Sequence, residues 1–204
     1  AMVGLHEVID YQSLSRRVLA TASLLNAGGL RRGYRMALAA EADIGLAVMV
    51  FACWHLGACP VFLDPADPPA QIASRANGCD ALFTDRSLGK AITVPGFLPA
   101  DGSSAQAREP APWCDTSPAY VMHTSGSTGA AKGVVVSQGA LLRYVENARV
   151  IYGLAPGTTV WNHSAMAQDF TVTTFIAPLL AGATVSCVPR GDLAAVLDAC
   201  ETGD

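Results

Sequence analysis

Residues 44–63 read IGLAVMVFACWHLGACPVFL, an almost wholly apolar run that is long enough to cross a membrane. Three features argue against a membrane span. His55 lies inside the run, Gly57 and Pro60 interrupt it after about three helical turns, and an Asp-Pro pair follows it directly. A buried helix followed by a short buried strand explains the composition better, so we predict part of an α/β core here.

The alternation of helix and strand continues on both sides of this run. Asp10 is placed to cap the first helix, and a strand or small hairpin over 3–9 precedes it. This β-α-β-α-β order predicts an α/β fold, a mostly parallel sheet with helices on both faces. The predicted helices cover about 11–27, 44–56 and 69–77, and the predicted strands cover about 34–40, 59–63 and 81–84.

A connection over 85–118, rich in Pro, Gly and Ser, separates two β/α portions, 3–84 and 119–204. We interpret Ala1 and Met2 as residues left from cloning and set them aside, and 91–94 is a possible short strand inside the connection. The second portion is predicted as strands over about 119–123, 133–137, 158–162 and 183–188, with helices over about 139–152, 170–181 and 192–201.

Composition limits the classes of function. The 204-residue chain is 51% hydrophobic and 15% charged, with a net charge of −4, and its only lysines are Lys90 and Lys132. No basic run exists, which excludes a typical nucleic-acid surface. The six cysteines form no C-x-x-C pair and lack histidines at zinc-ligand spacing, so we expect free, mostly buried thiols, no metal site, and a cytoplasmic location without membrane contact.

Residues 124–133, TSGSTGAAKG, have the chemistry that the phosphates of ATP require. Glycines let backbone N–H groups point inward, four Ser or Thr hydroxyls add donors, and Lys132 supplies a cation. The loop does not match the Walker A pattern, because Ala131 precedes the lysine and Gly133 follows it. The spacing of its glycines also differs from that of the dinucleotide-binding pattern.

This string closely resembles the signature loop of the adenylate-forming superfamily, [YF]TSGSTGxPKG. Three further segments resemble family motifs and follow the family order: 9–25, 54–75 and 163–185. The segment WHLGACPVFLDPADPPAQIASR is similar to the LDP segment of nonribosomal peptide synthetase adenylation domains, which favours that branch. The resemblance implies the N-terminal part of the large subdomain of such an enzyme.

The resemblance implies a reaction in which an amino acid and ATP give aminoacyl-AMP and pyrophosphate, followed by transfer to the phosphopantetheine thiol of a carrier protein. Lys132 and Thr128 are the expected catalytic residues. Asp169 is expected to pair with the α-ammonium group of the amino acid, and Phe170 and Thr173 to line its side-chain pocket. Thr173 stands where the family often has Trp, which indicates a roomier or more polar pocket. The residues expected to hold ATP are Thr124, Ser125, Gly126, Ser127, Thr128, Gly129, Lys132 and Gly133.

Asp169 also precedes a predicted helix, where Asp is a common N-cap, and the two roles are compatible. Gln138, Gln168 and Thr173-Thr174 depart from the family pattern. The family motifs that hold adenine and ribose, supply the main Mg²⁺ carboxylate and contact the reacting carboxylate are not found in these 204 residues. We therefore expect the isolated chain to be inactive. Three hypotheses remain: a piece of a competent adenylation domain, a shortened and silent domain with a structural or docking role, or a split enzyme completed by another chain.

Overall fold

A computed structural model describes residues 2–4, 6–84, 109–124, 131–190, 192, 194 and 197. The possible strand over 91–94, loop residues 125–130 and most of the predicted helix over 192–201 lie outside these residues. The strands are β1 Met2–Val3, β2 Val8–Ile9, β3 Arg35–Ala39, β4 Cys59–Phe62, β5 Ala81–Thr84, β6 Pro118–Thr124, β7 Lys132–Ser137, β8 Thr159–Asn162 and β9 Thr184–Cys187. The helices are α1 Tyr11–Ala27, α2 Ile44–Leu56, α3 Pro69–Ala76, α4 Gln138–Tyr152, a π-helix over Val172–Ile176 and α5 Ala177–Ala181.

The larger sheet has five strands in the order β5-β3-β4-β6-β7. Strands β5, β3, β4 and β6 are parallel to their neighbours, and β7 is antiparallel to β6. The parallel part follows from the β-α-β-α-β order, because each helix returns the chain to the end of the sheet at which the preceding strand began. The α/β class and mostly parallel sheet predicted from the sequence are confirmed.

The smaller sheet has the order β2-β1-β9-β8 and joins the beginning of the described chain to a late strand. Strands β1 and β2 form the predicted N-terminal hairpin, and β1 lies parallel to β9. Met2, which we interpreted above as a residue left from cloning, pairs with Val185 and is fully buried. Met2 is therefore part of the core of this fold.

Helices cover both faces of the larger sheet. Alternate residues of β3 point to opposite sides. Met36 and Leu38 join the main core with α1, α2, α4 and α5, while Ala37 and Ala39 pack with Ile72 of α3. Helix α2 is buried on nearly every side, which explains why the sequence of 44–56 lacks a polar face. No helix in the described part of the chain is long and apolar enough to span a membrane.

The predicted ends of the first two helices are confirmed by their caps. The Asp10 carboxylate accepts the Ser13 N–H at 2.7 Å and starts α1. Helix α2 ends at Gly57, whose φ of 71° lies in the left-handed region. A Cβ at Gly57 would lie 2.9 Å from Cγ of Arg32, so glycine is required there by both backbone conformation and space.

Candidate functional site

Strands β6 and β7 form a hairpin that holds the two ends of the TSGSTGAAKG loop. Thr124 pairs with Lys132 at the open end of the ladder, and the Thr124 hydroxyl donates to the Lys132 carbonyl at 3.5 Å. Both residues are exposed. The hairpin therefore presents one hydroxyl and one cation at the base of the loop, whose residues 125–130 lie outside the described structure.

The alternation of side chains assigns the hairpin residues to two faces of the sheet. Tyr120 and Thr124 share one face, and Lys132 joins them because it lies directly opposite Thr124. His123 and its partner Gly133 lie on the other face. At about 3.3 Å per residue, Thr124 is roughly 13 Å along the strand from Tyr120.

A cavity of about 330 Å³ lies on the face that carries Tyr120. Strand β6, helix α4 and the segment around the π-helix supply its walls. The structure brings the three residues predicted to bind the amino acid to this one cavity. The lining residues are Tyr120, Tyr144, Asp169, Phe170, Val172 and Thr173.

The segment that carries Asp169 is held by buried hydrogen bonds on either side of it. The Thr171 hydroxyl donates to the Ala165 carbonyl at 2.6 Å, and the Thr174 hydroxyl donates to Oδ1 of Asn162 at 2.7 Å. The exposed Asp169 carboxylate accepts the Phe170 N–H at 2.8 Å. This bond reaches the adjacent residue, whereas an N-cap side chain accepts an N–H two or three residues further on, so the predicted capping bond is absent among the described residues. The other carboxylate oxygen of Asp169 is available to a ligand.

Two tyrosines of the cavity were not among the residues predicted from the sequence. The Tyr144 hydroxyl is hydrogen-bonded to the Thr173 hydroxyl, which links α4 to the π-helix. Tyr120 is buried, and burial raises the pKa of its phenol, with Tyr144 and Asp169 adding to the rise. The phenol of Tyr120 therefore stays protonated at pH 7 and can donate a hydrogen bond. Tyr120 belongs to the strand segment AYVMH that leads into the loop, and only the folded chain shows that it lines the cavity together with Tyr144.

His123 has surroundings typical of a packed residue. Burial is the main cause of the lowered pKa of its imidazole, and Arg75 lowers it further. Among the described residues, Nδ1 of His123 is buried without a hydrogen-bond partner. Because His123 lies on the sheet face opposite Thr124 and Lys132, it is not positioned to act on a ligand there.

Gln138, which replaces a frequent histidine of the family, has a structural contact. Its side chain is buried, and Oε1 accepts the Cys114 N–H at 2.8 Å. Thr174 is likewise used in the bond to Asn162 described above. These two departures from the family pattern are thus explained by hydrogen bonds inside this fold.

The described part of the hairpin fits a nucleotide phosphate. Thr124 and Lys132 offer a hydroxyl donor and an ammonium group side by side, and such groups bind phosphate oxygens. The described residues contain no group of three His, Cys, Asp or Glu side chains that could hold a metal ion. These residues therefore offer a place for phosphates and no set of ligands for Mg²⁺.

Comparison with known proteins identifies the family. The profile of the family described as AMP-binding enzyme matches residues 1–203. An L-proline--[L-prolyl-carrier protein] ligase from Pseudomonas fluorescens is 28% identical over 93% of the chain, which spans 42% of that protein. The nonribosomal peptide synthetase ivoA from Emericella nidulans is 32% identical over 90% of the chain, which spans 11% of that protein.

Solved structures share the fold. An o-succinylbenzoate CoA synthetase from Bacillus subtilis has a TM-score of 0.86 at 20% identity, and the match covers 99% of this chain and 44% of that one. The N-terminal subdomain of Klebsiella oxytoca NpsA has a TM-score of 0.80 at 21% identity, covering 100% of this chain and 54% of that one. The chain thus spans about half or less of each of these proteins. By the match over nearly its whole length, it belongs to the AMP-binding enzyme family.

Proposed function

We propose that this chain forms the phosphate-binding and amino-acid-binding part of an adenylation domain in nonribosomal peptide biosynthesis. The domain joins an amino acid to ATP, which gives aminoacyl-AMP and pyrophosphate, and then passes the aminoacyl group to the thiol of a carrier protein. Carrier-protein ligases and a nonribosomal peptide synthetase among the relatives support this reaction class.

One observation carries the proposal: the hairpin that bears Thr124 and Lys132 and the cavity that bears Asp169 lie on the same face of the larger sheet. Tyr120 in the cavity and Thr124 on the hairpin are roughly 13 Å apart along β6. This distance leaves room for an amino acid whose ammonium group lies in the cavity and whose carboxylate reaches the phosphates at the hairpin. We infer that an amino acid held at Asp169 directs its carboxylate toward the hairpin.

The residues of the site contribute positioning and charge. Asp169 pairs with the α-ammonium group, which needs an anionic partner once it leaves water. Lys132 stabilises negative charge on the phosphates as the adenylyl group passes to the substrate carboxylate and pyrophosphate leaves, and the Thr124 hydroxyl orients a phosphate oxygen. We assign Thr128 and the remaining loop residues to the same phosphates because of the resemblance of their sequence. ATP brings Mg²⁺ with it, and we place the main carboxylate for that ion outside this chain.

A second candidate function is a catalytically silent domain that docks onto another part of a synthetase. The observation in its favour is an apolar surface at the end of α4, where Val150, Ile151 and Tyr152 are 85%, 71% and 58% exposed. Such a cluster is typical of a surface that a further polypeptide covers. A split enzyme completed by another chain would use the same surface.

ATP–pyrophosphate exchange with the isolated 204-residue chain tests whether this part of the domain can catalyse the reaction without the rest. We expect no exchange with any proteinogenic amino acid, because the residues that hold adenine and the reacting carboxylate are not among these 204. Exchange above the protein-free background would contradict the expected inactivity of the isolated chain.

Binding of ATP to the isolated chain tests the phosphate site itself. We expect Lys132→Gln to weaken ATP binding by about tenfold, since a charge-assisted hydrogen bond is lost. Arg143→Gln is the matched control, because Arg143 is another exposed cation and belongs to α4, not to the hairpin. Equal affinities of the two variants would argue for the silent docking domain.

A further inference from the structure

The cavity beside Asp169 is polar at the end formed by α4 and the π-helix. Tyr144 and Thr173 are bonded to each other through their hydroxyl groups, and the buried Tyr120 lines the same cavity. Burial, Tyr144 and Asp169 together raise the pKa of Tyr120, which indicates that these groups lie close to one another. Three hydroxyl groups and one carboxylate therefore face a single ligand space.

The hydroxyl groups of Tyr144 and Thr173 can form more hydrogen bonds than the one that joins them. Each hydroxyl has one donor and two acceptor positions. The bond between Tyr144 and Thr173 uses one proton and one lone pair. One O–H donor and several oxygen lone pairs of these two residues remain available to a ligand. An apolar substrate side chain would take water away from these groups without replacing its hydrogen bonds, and an unpaired buried polar group is unfavourable.

The charges of the lining restrict the ligand further. Asp169 is the only charged residue among the six that line the cavity. If it pairs with the α-ammonium group, a second cation finds no anionic partner in this lining, and an acidic side chain would meet the Asp169 carboxylate unfavourably. Phe170 and Val172 supply apolar contact for the carbon atoms of the ligand. The lining therefore favours a neutral side chain that has both carbon atoms and a hydrogen-bonding group.

We propose that Tyr144 and Thr173 form a hydroxyl pair that selects neutral amino acids with a hydroxyl or carboxamide side chain. This inference rests on the proposed function, because it assumes that Asp169 binds the ammonium group of an amino acid. A site built around hydrogen-bonding groups rejects an analogue that lacks the matching group much more strongly than an apolar pocket rejects an added hydroxyl. The hydroxyl pair thus confers selectivity, while Asp169 confers binding of amino acids in general.

Calorimetric titration of the 204-residue chain with matched amino acids tests the proposal. L-Threonine and L-valine have the same shape and differ in one hydroxyl, and L-asparagine and L-leucine differ similarly in a carboxamide. We expect the polar member of at least one pair to bind at least about tenfold tighter, the effect of one lost hydrogen bond. L-Aspartate and L-lysine should bind more weakly than L-asparagine.

Variants separate the hydroxyl pair from the rest of the site. Tyr144→Phe and Thr173→Val should each reduce the preference for the polar amino acid to about twofold or less, with little change in the affinity for its apolar counterpart. Thr173→Ser keeps the hydroxyl and should retain the preference. Unchanged circular dichroism and melting temperature of the variants show that the fold is intact.

The outcomes distinguish the two proposals. Equal binding of polar and apolar amino acids, tighter binding of aspartate or lysine, or a preference that survives in both variants would overturn the role of the hydroxyl pair. If no amino acid binds, or if Asp169→Asn leaves all affinities unchanged, the proposed function fails and the selectivity fails with it. Loss of all binding in Asp169→Asn, together with equal affinities for threonine and valine in the wild type, would overturn the selectivity alone.

Discussion

At the scale of single residues, Cys114 differs from the other described cysteines. It is exposed in the turn before β6, and its sulfur lies 3.3 Å from the Thr116 hydroxyl. Hydrogen bonds from the hydroxyl and N–H groups of Thr116, followed by those of Ser117, lower the pKa of the Cys114 thiol to about 7. Burial raises the pKa of Cys59, by contrast, to about 11.

These opposite shifts predict that Cys114 is alkylated faster than the other described cysteines, whose thiol pKa values burial raises. The thiolate is the reactive form and dominates above the pKa, so the rate with iodoacetamide should rise steeply between pH 6 and 8 and level off above that range. Thr116→Val should move the midpoint to higher pH, because the largest stabilising hydrogen bond is lost. Peptide mapping by mass spectrometry measures the rate at each cysteine. A midpoint near the ordinary thiol pKa in the wild-type chain would contradict the prediction.

At the scale of secondary-structure elements, Ser137 connects the hairpin to the helix behind it. It is the last residue of β7 and the N-cap of α4, where its hydroxyl accepts the Ala140 N–H at 3.2 Å. We expect Ser137→Ala to lower the free energy of unfolding by about 1 kcal/mol, the usual contribution of an N-cap.

Urea unfolding measures this change, and Ser137→Asn is the control, because asparagine caps helices as well as serine does. Helix α4 carries Tyr144, so a frayed first turn should also weaken the hydrogen bond between Tyr144 and Thr173. Equal stability of the Ala and Asn variants would show that the cap contributes nothing to this fold.

The elements themselves were largely predictable because their signals are local. Helix α1 begins after Asp10 and ends before Gly28, as predicted from these two residues. The apolar run of 44–63 contains α2 and β4, as predicted from its composition. The π-helix over Val172–Ile176 was not predicted, since one extra residue per turn barely changes the periodicity of an apolar segment.

The site was predictable to the extent that it is encoded in short strings. Thr124 and Lys132 belong to one loop, and Asp169, Phe170 and Thr173 belong to one segment. Tyr120 and Tyr144 were missed because they reach the cavity only through the packing of β6 and α4 against that segment. The pairing of β1 with β9 was missed for the same reason, since strand partners far apart in sequence leave no local pattern.

At the scale of the whole molecule, the hydroxyl of one tyrosine links the first helix to α5 and to the residue that precedes β9. The Tyr11 hydroxyl is shared between the carbonyls of Leu179 and Ala183, at 3.0 and 2.6 Å. We expect Tyr11→Phe to lower the free energy of unfolding by about 1 kcal/mol, because both carbonyls lose this donor.

Thermal or urea unfolding tests this tie, with Tyr34→Phe as the matched control. Tyr34 is 40% exposed, close to the 37% of Tyr11, and its hydroxyl makes no hydrogen bond to the described residues. The two variants remove the same atom from similarly exposed rings. An equal loss of stability in both would show that the hydrogen bonds of Tyr11 to Leu179 and Ala183 contribute no net stability.

Strand β1 can pair with β9 only after nearly all of the described chain has been synthesised. Tyr11 and its acceptor Ala183 are 172 residues apart, and β1 and β9 are separated to a similar extent. At about 5–20 residues per second, translation takes roughly ten to thirty seconds to cover that distance. During that interval the nascent hairpin of β1 and β2 lacks its partner β9 and has an open strand edge, the state in which chains associate with one another or with chaperones.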